Sequence, residues 1–320
     1  MTAPTTQGPL VGIVVPTWNR AADAARCLAS VARLEHRRRR VFVVDNGSVP
    51  AERAALRAAL ATEFAGAEQV PSLIALPENR GFAAAVNAGL AAAFEAGCSA
   101  TLVLNDDAEV EPDLLGLLLA GAGVDPAAGV VAPCVLDSES GREVSRGERV
   151  SVPLVCWPRT WLRVRRASTT PYRVSGVLGA AFLLTRACWT EVGGLAEPYF
   201  AYYEEVDYWL RLRAAGFAIV VVPAARVRHR GFRGFKGGFT PLAAYLKARN
   251  LPLLVRRNGT PLDWAAFLPA YLVLLVASAA GYAWRAHGGA VVAAMLRGAR
   301  DAWHAAAGPP PAALVPPTAA

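Results

Sequence analysis

Apolar positions along the first third of the chain fall into short runs of aliphatic and β-branched residues, separated by longer stretches of helical spacing. Residues 10–18 (LVGIVVPTW) are almost continuously apolar, the pattern of a strand covered on both faces. Residues 21–34 (AADAARCLASVARL) repeat their apolar positions every three or four residues and predict a helix. The alternation continues with a strand at 40–48, a helix at 52–64, a strand at 72–79 and a helix at 81–97 that stops at Gly97. A strand at 101–108 and a helix at 112–122, with Pro112 near its first turn, complete it. This order predicts an α/β domain with a parallel sheet and helices on both faces. Right-handed crossovers bring the carboxyl ends of such strands to one edge, where ligands of these sheets bind.

Polar residues stand where that edge is expected. Thr17-Asn19-Arg20, Asp45-Asn46-Ser48, Asn79-Arg80 and Asn105-Asp106-Asp107 each follow a strand, so they are expected to converge. Further along, 129–137 reads as a strand. Residues 138–173 are polar and basic, with Trp157, Trp161 and several arginines, and are expected to form a mobile, irregular connection. Residues 174–186 return to strand, 187–195 form a short helix closed by Gly193-Gly194, and 201–216 form a helix stopping at Gly216. Residues 217–231 read as two short strands broken at Pro223.

Beyond residue 240 the pattern changes. Residues 264–284 carry no charge and as a helix would extend ~32 Å, close to the hydrocarbon thickness of a bilayer. Trp264 and Trp284 bound the stretch, with Arg256-Arg257 before it and Arg285 after. A buried core helix is the alternative. Residues 290–303 are amphipathic, with Arg297 and Arg300 on the polar side, and fit a helix lying in a membrane interface. The organisation expected is therefore a disordered segment 1–9, an α/β domain over 10–240 with halves at about 10–137 and 174–240, a membrane-associated helical region over 241–304, and a disordered Pro/Ala-rich tail over 305–320. The N-terminal MTAPTTQGPL has no charged or apolar leader pattern, so no secretory signal is expected.

Composition sharpens this picture. Apolar residues make up 54% of the chain and mean hydropathy is +0.31, high enough to call for a membrane-facing part. The net charge of +8 suits an anionic membrane surface or a phosphorylated substrate. The densest basic run, Arg37-Arg38-Arg39-Arg40, reads as a solvated loop or membrane contact, not as a nucleic-acid element. The five cysteines are widely spaced without a CxxC pair, which indicates neither a disulfide framework nor a zinc site.

Three clusters carry candidate chemistry. Adjacent carboxylates at Asp106 and Asp107 raise each other's pKa unless something positive compensates. An N-cap for the helix near Pro112 would employ one of them; a hard divalent cation, Mg2+ or Mn2+, would employ carboxylate oxygens together with substrate phosphates. At Glu204-Glu205-Val206-Asp207, Glu204 and Asp207 share a helix face while Glu205 points elsewhere, so one face can serve the helix and the other a general base. Acids at a helix start also favour the positive end of the dipole, and the pattern leaves both readings open. His229, between Arg228 and Arg230, is a possible metal ligand beside phosphate-binding charges.

The stretches VVPTWNR, VFVVDNGS, ENRGFAAAVNAGL, LVLNDDAEV, VSGVLGAAFLLTR, VGGLAEPYFAYYEEVDYWLRLRAAG and VRHRG, in this order, resemble glycosyltransferase family 2 over about residues 10–255. The resemblance is to its bacterial rhamnosyltransferase-like and galactofuranosyltransferase-like branch. It implies a GT-A fold, Rossmann-like with a mostly parallel sheet, and an inverting transfer from a UDP- or dTDP-linked sugar, dTDP-rhamnose included, to a lipid-linked or cell-surface glycan. It implies nucleotide-sugar contacts at Pro16, Thr17, Asn19, Arg20, Asp45, Asn79, Arg80, Gly81, Asn87 and Asp106. The family's DxD motif falls on Asn105-Asp106-Asp107, with Asn in the outer position, making Asp107 the principal metal ligand alongside His229. Its acidic pair falls on Glu204-Glu205, making Glu205 the general base where Asp is usual. Gly179, Ala180, Trp209 and Glu204 are implied on the acceptor side. The expected location is the cytoplasmic face of a bacterial inner membrane, with no nucleic-acid partner. Competing readings are a degenerate sugar-nucleotide-binding scaffold and a nucleotidyltransferase; the latter typically carries a Gly-rich loop after the first strand, which PTWNR lacks.

Overall fold

The alternation of the first third is realised in a computed structural model that describes residues 8–152, 156, 163–164, 167–231, 240–283, 288–304 and 306–315. Strands β1 (Val11–Thr17), β2 (Arg39–Asp45), β3 (Ser72–Ala75) and β4 (Ala100–Leu104) alternate with helices α1 (Ala21–Ala32), α2 (Pro50–Glu63) and α3 (Phe82–Glu95). These strands run parallel in the order β3-β2-β1-β4. β1 is buried along its whole length, as its apolar run requires. α3 lies close against it because Gly12 has no side chain: a Cβ there would stand 2.8 Å from that of Ala93.

A short strand, β5 (Ala108–Val110), and α4 (Leu114–Val124) follow β4; then come β6 (Ala128–Asp137), β7 (Glu143–Ser145), β8 (Tyr172–Val174) and β9 (Ala181–Thr185). The later strands make the sheet mixed. β9 runs antiparallel between β4 and β6, and β10 (Ala218–His229) is parallel to β6 and antiparallel to β5. Thus only the block β3-β2-β1-β4 is purely parallel. The two strands expected around Pro223 are one. β10 keeps its pairing with β6 across a register shift between Val222 and Arg226, because Pro223 has no N–H for the ladder and is accommodated in a bulge.

Helices cover both faces. On one, Leu28, Leu56, Leu115 and Leu118 from α1, α2 and α4 pack on the sheet. On the other, Val86 and Phe94 of α3 join α5 (Arg186–Val192) and α6 (Glu204–Ala214), centred on Tyr208 and Trp209. The Trp209 indole meets Phe182 edge-on at 5.1 Å. α6 begins at Glu204, not at Ala201, because Tyr202 and Tyr203 are left-handed, at φ +68° and +74°.

The C-terminal region consists of α7 (Pro241–Asn258), α8 (Pro261–Ala283) and α9 (Gly288–Trp303). α7 and α9 touch backbone to side: a Cβ on Gly298 would overlap the Tyr245 carbonyl. Phe267 and Tyr271 anchor α8 on this pair. Part of the tail expected to be disordered is packed. Gly308 donates its N–H to Pro198 O at 2.6 Å and accepts from Arg249 at 2.7 Å. In the arginine run expected to be solvated, Arg37, Arg38 and Arg40 are exposed, while Arg39 serves a helix end. Arg39 donates to the carbonyls of Ala32, Leu34 and His36 at 2.7–3.0 Å, filling the orphan acceptors after α1. Trp157, Trp161, Trp284 and Arg285 lie outside the described residues, as do most of segment 1–9 and residues 316–320.

Candidate active site

The loops after β1, β2 and β3 are stitched to one another at the carboxyl edge. Asn19, itself left-handed at φ +52°, donates its N–H to Ser48 Oγ and accepts from Val49 N–H, both at 2.9 Å. Asn46 donates to Asn79 Oδ1 at 3.0 Å and to Gly81 O at 3.1 Å, and accepts from Arg80 N–H at 3.0 Å. Gly81 stands at φ +90° with no room for a Cβ against Phe200 O, so this turn requires glycine. Asp45 is fully buried and committed, one oxygen to Ser48 N–H and the other to Arg53. Asn87 is a bracket between elements: it exchanges two hydrogen bonds with the Leu195 backbone, at 2.8 and 2.9 Å.

The paired carboxylates sit in the turn between β4 and β5. Asn105 N–H donates to Ala180 O at 2.9 Å, and the β5–β10 register then sets Ala108 opposite His229. His229 Nε2 consequently lies 3.0 Å from Asp107 Oδ1. Arg20, just past β1, reaches both acids, at 3.4 Å from Asp106 and 3.3 Å from Asp107. Thr17 Oγ1 donates to Asp106 Oδ2 at 2.8 Å. The positive group that compensates the pair is therefore built into the first loop. The two acids are not equivalent. Burial pushes Asp106 up to about 7, Arg20 and Thr17 opposing and the Asp107 charge adding. Burial would raise Asp107 as well, but His229 and Arg20 outweigh it and hold its carboxyl below the usual range.

This arrangement fits a cation with few protein ligands. Asp107 Oδ1 is buried and, although near His229, has no partner in hydrogen-bond geometry among the described residues. Two ligands each ~2.1 Å from an ion, at right angles, stand about 3.0 Å apart. No set of three or more His, Cys, Asp or Glu side chains converges among the described residues. The remaining coordination would thus come from substrate oxygens and water, as is usual for hard cations at phosphate sites.

At the start of α6 the acids divide by face. Asp207 is a structural hub: it accepts from Tyr199 OH at 3.1 Å, Arg211 at 2.7 Å, Arg257 at 3.1 Å and Asn258 at 2.9 Å. Glu205 packs beside Gly179, where a Cβ would stand 3.4 Å from its Cγ. The neighbouring Ala180 carbonyl holds Asn105, so Glu205 and the diacid turn border the same short loop. Trp209, expected on the acceptor side, is buried instead and supports that loop from below through Nε1–H donating to Val177 O at 3.0 Å. Two residues that sequence reasoning missed control the entry to α6. Arg249 and Asn250 of α7 are buried and together bind the carbonyls of Tyr199, Ala201 and Tyr202. Their signal was a polar pair inside an otherwise apolar helical stretch.

Comparison with known proteins bears on the family and the fold. The model of the family "Glycosyl transferase family 2" matches residues 12–189. An N-acetylglucosaminyl-diphospho-decaprenol L-rhamnosyltransferase of Mycobacterium tuberculosis is 30% identical over 280 residues, covering 79% of this chain and 87% of the relative. Among solved structures, the mannosyltransferase PcManGT from Pyrobaculum calidifontis in complex with GDP-Man and Mn2+ superposes with a TM-score of 0.58 at 18% identity, covering 93% of this chain and 88% of that one. Residues 1–349 of S. aureus TarS superpose at 0.53 and 12% identity, covering 90% and 80%. The edge geometry, the matched residues and the shared fold lead to one conclusion: this chain is a glycosyltransferase of family 2 with the GT-A fold.

Proposed function

We propose that this glycosyltransferase moves a sugar, with inversion and metal assistance, from a UDP- or dTDP-linked donor to a hydroxyl of a lipid-linked glycan at the cytoplasmic face of the membrane. The observation that carries the reading is the pairing of Asp107 with His229 beside Arg20, across one short loop from Glu205. Similarity to the mycobacterial N-acetylglucosaminyl-diphospho-decaprenol L-rhamnosyltransferase favours a rhamnosyl donor and an N-acetylglucosaminyl-diphospho-lipid acceptor. Structural neighbours solved with Mn2+ are in keeping with a divalent cation.

In this reading Pro16, Thr17, Asn19, Arg20, Asn79, Arg80 and Gly81 form the wall against which the nucleotide lies, and Asp45 stands behind it, holding Ser48 and Arg53. Asp107 and His229 would hold a divalent cation, whose chemistry would be neutralisation of charge on the departing diphosphate. Arg20 adds a fixed positive charge at the same edge, which assists the leaving group without reorganisation. Asp106, held by Thr17, faces the donor. Glu205 takes the proton of the acceptor hydroxyl while that oxygen attacks the anomeric carbon. The bond to the diphosphate breaks on the opposite face, so the nucleoside diphosphate leaves and the product is inverted. Gly179 and Ala180, small enough to leave space beside Glu205, border the acceptor.

The test is a panel of nucleotide sugars incubated with an N-acetylglucosaminyl-diphospho-lipid, read by mass spectrometry of the lipid and by NMR of the new linkage. Wild type is expected to release nucleoside diphosphate and form an inverted linkage; Glu205→Gln is expected to turn over at least ~10²-fold more slowly. Release of pyrophosphate, or a retained configuration, would overturn the reading.

A further inference from the structure

α8 has its polarity reversed relative to a helix that faces water. Its polar side chains, Asp263, Trp264, Tyr271, Ser278 and Tyr282, all lie on the half turned toward the protein, where each is buried or half-buried. Its exposed half carries no polar side chain from Pro261 to Ala283. Leu262 is 80% exposed, Val273 68% and Val276 71%, with Leu272 between them at 53%. A helix on a soluble surface has the opposite arrangement. At ~1.5 Å per residue, this uninterrupted apolar face is about 34 Å long.

The inner half is tied to the catalytic domain along its length. Trp264 lies 6.3 Å from Trp303 at one end of the helix pair. Tyr271 OH donates to Ala248 O at 2.7 Å, and Leu274, Leu275, Ala279 and Tyr282 continue the contact toward the other end. A helix packed in this way could cross a bilayer only by taking α7 and α9 with it. α7 carries Arg249, Arg256 and Arg257, and the exposed side of α9 carries Arg297 and Arg300. Such charges are excluded from the hydrocarbon. On the adjoining α9, by contrast, the exposed Arg297 and Arg300, which pair with Asp301, and Trp303, which meets Trp264, have the chemistry that binds lipid headgroups.

We infer that the outer half of α8 is a docking surface for an anionic bilayer, and that α8 lies parallel to the membrane plane, embedded on one side, without crossing it. This rests on the membrane-association part of the proposed function and is independent of the donor and of the base. The net charge of +8 and the exposed arginines of the adjoining α9 favour a lipid surface over a second copy of this basic chain.

The test uses the full chain with sealed vesicles of phosphatidylcholine alone or with about one third phosphatidylglycerol. Flotation with the mixed vesicles is expected, weakened roughly tenfold or more by Arg297→Gln with Arg300→Gln. Leu272→Glu with Val276→Glu is expected to abolish flotation while leaving circular dichroism and turnover of a water-soluble acceptor unchanged. Orientation is read by single cysteines, scored above the parent, whose Cys27, Cys98, Cys134 and Cys188 are buried. An impermeant maleimide added outside should label both Thr260→Cys and Gly289→Cys, exposed just beyond the two ends of α8, and should label Val276→Cys only after detergent. Labelling of one end alone would show a crossing helix and overturn the in-plane placement while leaving membrane association standing. Absence of flotation, with dimers in analytical ultracentrifugation that Leu272→Glu and Val276→Glu disperse, would assign the face to a second copy and overturn the membrane reading itself.

Discussion

Asn250→Ala is expected to damage turnover more than stability. Phe200, Tyr202 and Tyr203 all have positive φ, at +65°, +68° and +74°, without being glycine. Each such residue stores about 1–3 kcal/mol, so the turn that leads into Glu204-Glu205 is strained by several kcal/mol. What opposes the strain is visible. Asn250 Nδ2 donates to Tyr199 O at 3.0 Å, Ala201 O at 2.8 Å and Tyr202 O at 2.9 Å, while its Oδ1 accepts from Arg249 Nε at 2.9 Å. Removing this fully buried amide takes away two N–H donors shared among three carbonyls, of which Tyr199 O keeps Arg249, a loss of about 1–3 kcal/mol in sum. That loss is similar to the strain of one such residue, so local relaxation of the turn is the expected response, with the core of the domain retained.

The consequence falls on the first turn of α6. A shift of about 1 Å in a catalytic group costs on the order of 10²-fold in rate. Steady-state kinetics should therefore show kcat reduced by that order, with nucleotide affinity changed less, because the turn touches the nucleotide wall only where Phe200 O accepts from Phe82 N–H beside Gly81. The decisive measurement is a double-mutant cycle. If Asn250 acts by positioning Glu205, Asn250→Ala should have little further effect on kcat in a Glu205→Gln background. Full multiplicative losses in a protein shown by calorimetry to be folded would refute the positioning argument, as would a folded Asn250→Ala enzyme with normal kcat.

Other outcomes follow from the same geometry. Asp107→Asn should lose transfer and the Mn2+-dependent part of nucleoside diphosphate binding in calorimetric titration; a variant whose binding still responds fully to Mn2+ would remove Asp107 from the cation site. Gly81→Ala, forced to φ +90° against Phe200 O, should lower the free energy of chemical unfolding by about 2 kcal/mol or more, whereas Gly97→Ala, at φ +87° but with nothing near its Cβ position, should lose less. Asp207 supplies a pH dependence. Burial would raise its carboxyl, but Asn258, Arg211 and Arg257 hold it below the ordinary range. Its stabilisation is thus complete above the unfolded value near ~4 and is lost as pH falls through the lower folded value. Asp207→Asn should flatten the acid limb of stability against pH below ~4, and an unchanged limb would count against that hub.

The parallel half of the sheet and the convergence of its loops were legible because buried strands and amphipathic helices leave different periods in sequence. The direction of β9 was not, since polarity in a sheet depends on the path of the preceding connection and not on the strand's own residues. Pro223 was legible as an irregularity, but its outcome, a bulge within one strand, depended on pairing with β6 on both sides. The polar roles divided unevenly. Asp106, Asp107, Arg20 and His229 were found together because each bears unusual chemistry at a strand end. Asn87 and Asp45 carry the same residue types, yet the structure engages them with backbone and Arg53, which no local pattern distinguishes from ligand contacts. The left-handed tyrosines had no signal at all, since that conformation is ordinarily marked by Gly or Asn.

α7 is the element through which these features meet. One side of it presents Asn250 to the carbonyls of Tyr199, Ala201 and Tyr202, and its last turn presents Arg257 and Asn258 to Asp207 on α6. Its remaining faces hold α8 and α9, through Ala248 to Tyr271 and Tyr245 to Asp301. The carboxylate proposed as the base is thus fixed by the same helix that carries the surface proposed to rest on lipid. An acceptor anchored by its lipid moves in two dimensions, so a base whose position is set relative to the bilayer meets its hydroxyl at a constant height. Transfer to a lipid-anchored acceptor then requires that α7 hold both ends of this relation, whereas transfer to a soluble acceptor requires only the Asn250 end. Variants on the outer half of α8 should separate the two substrates, and variants at Asn250 should not.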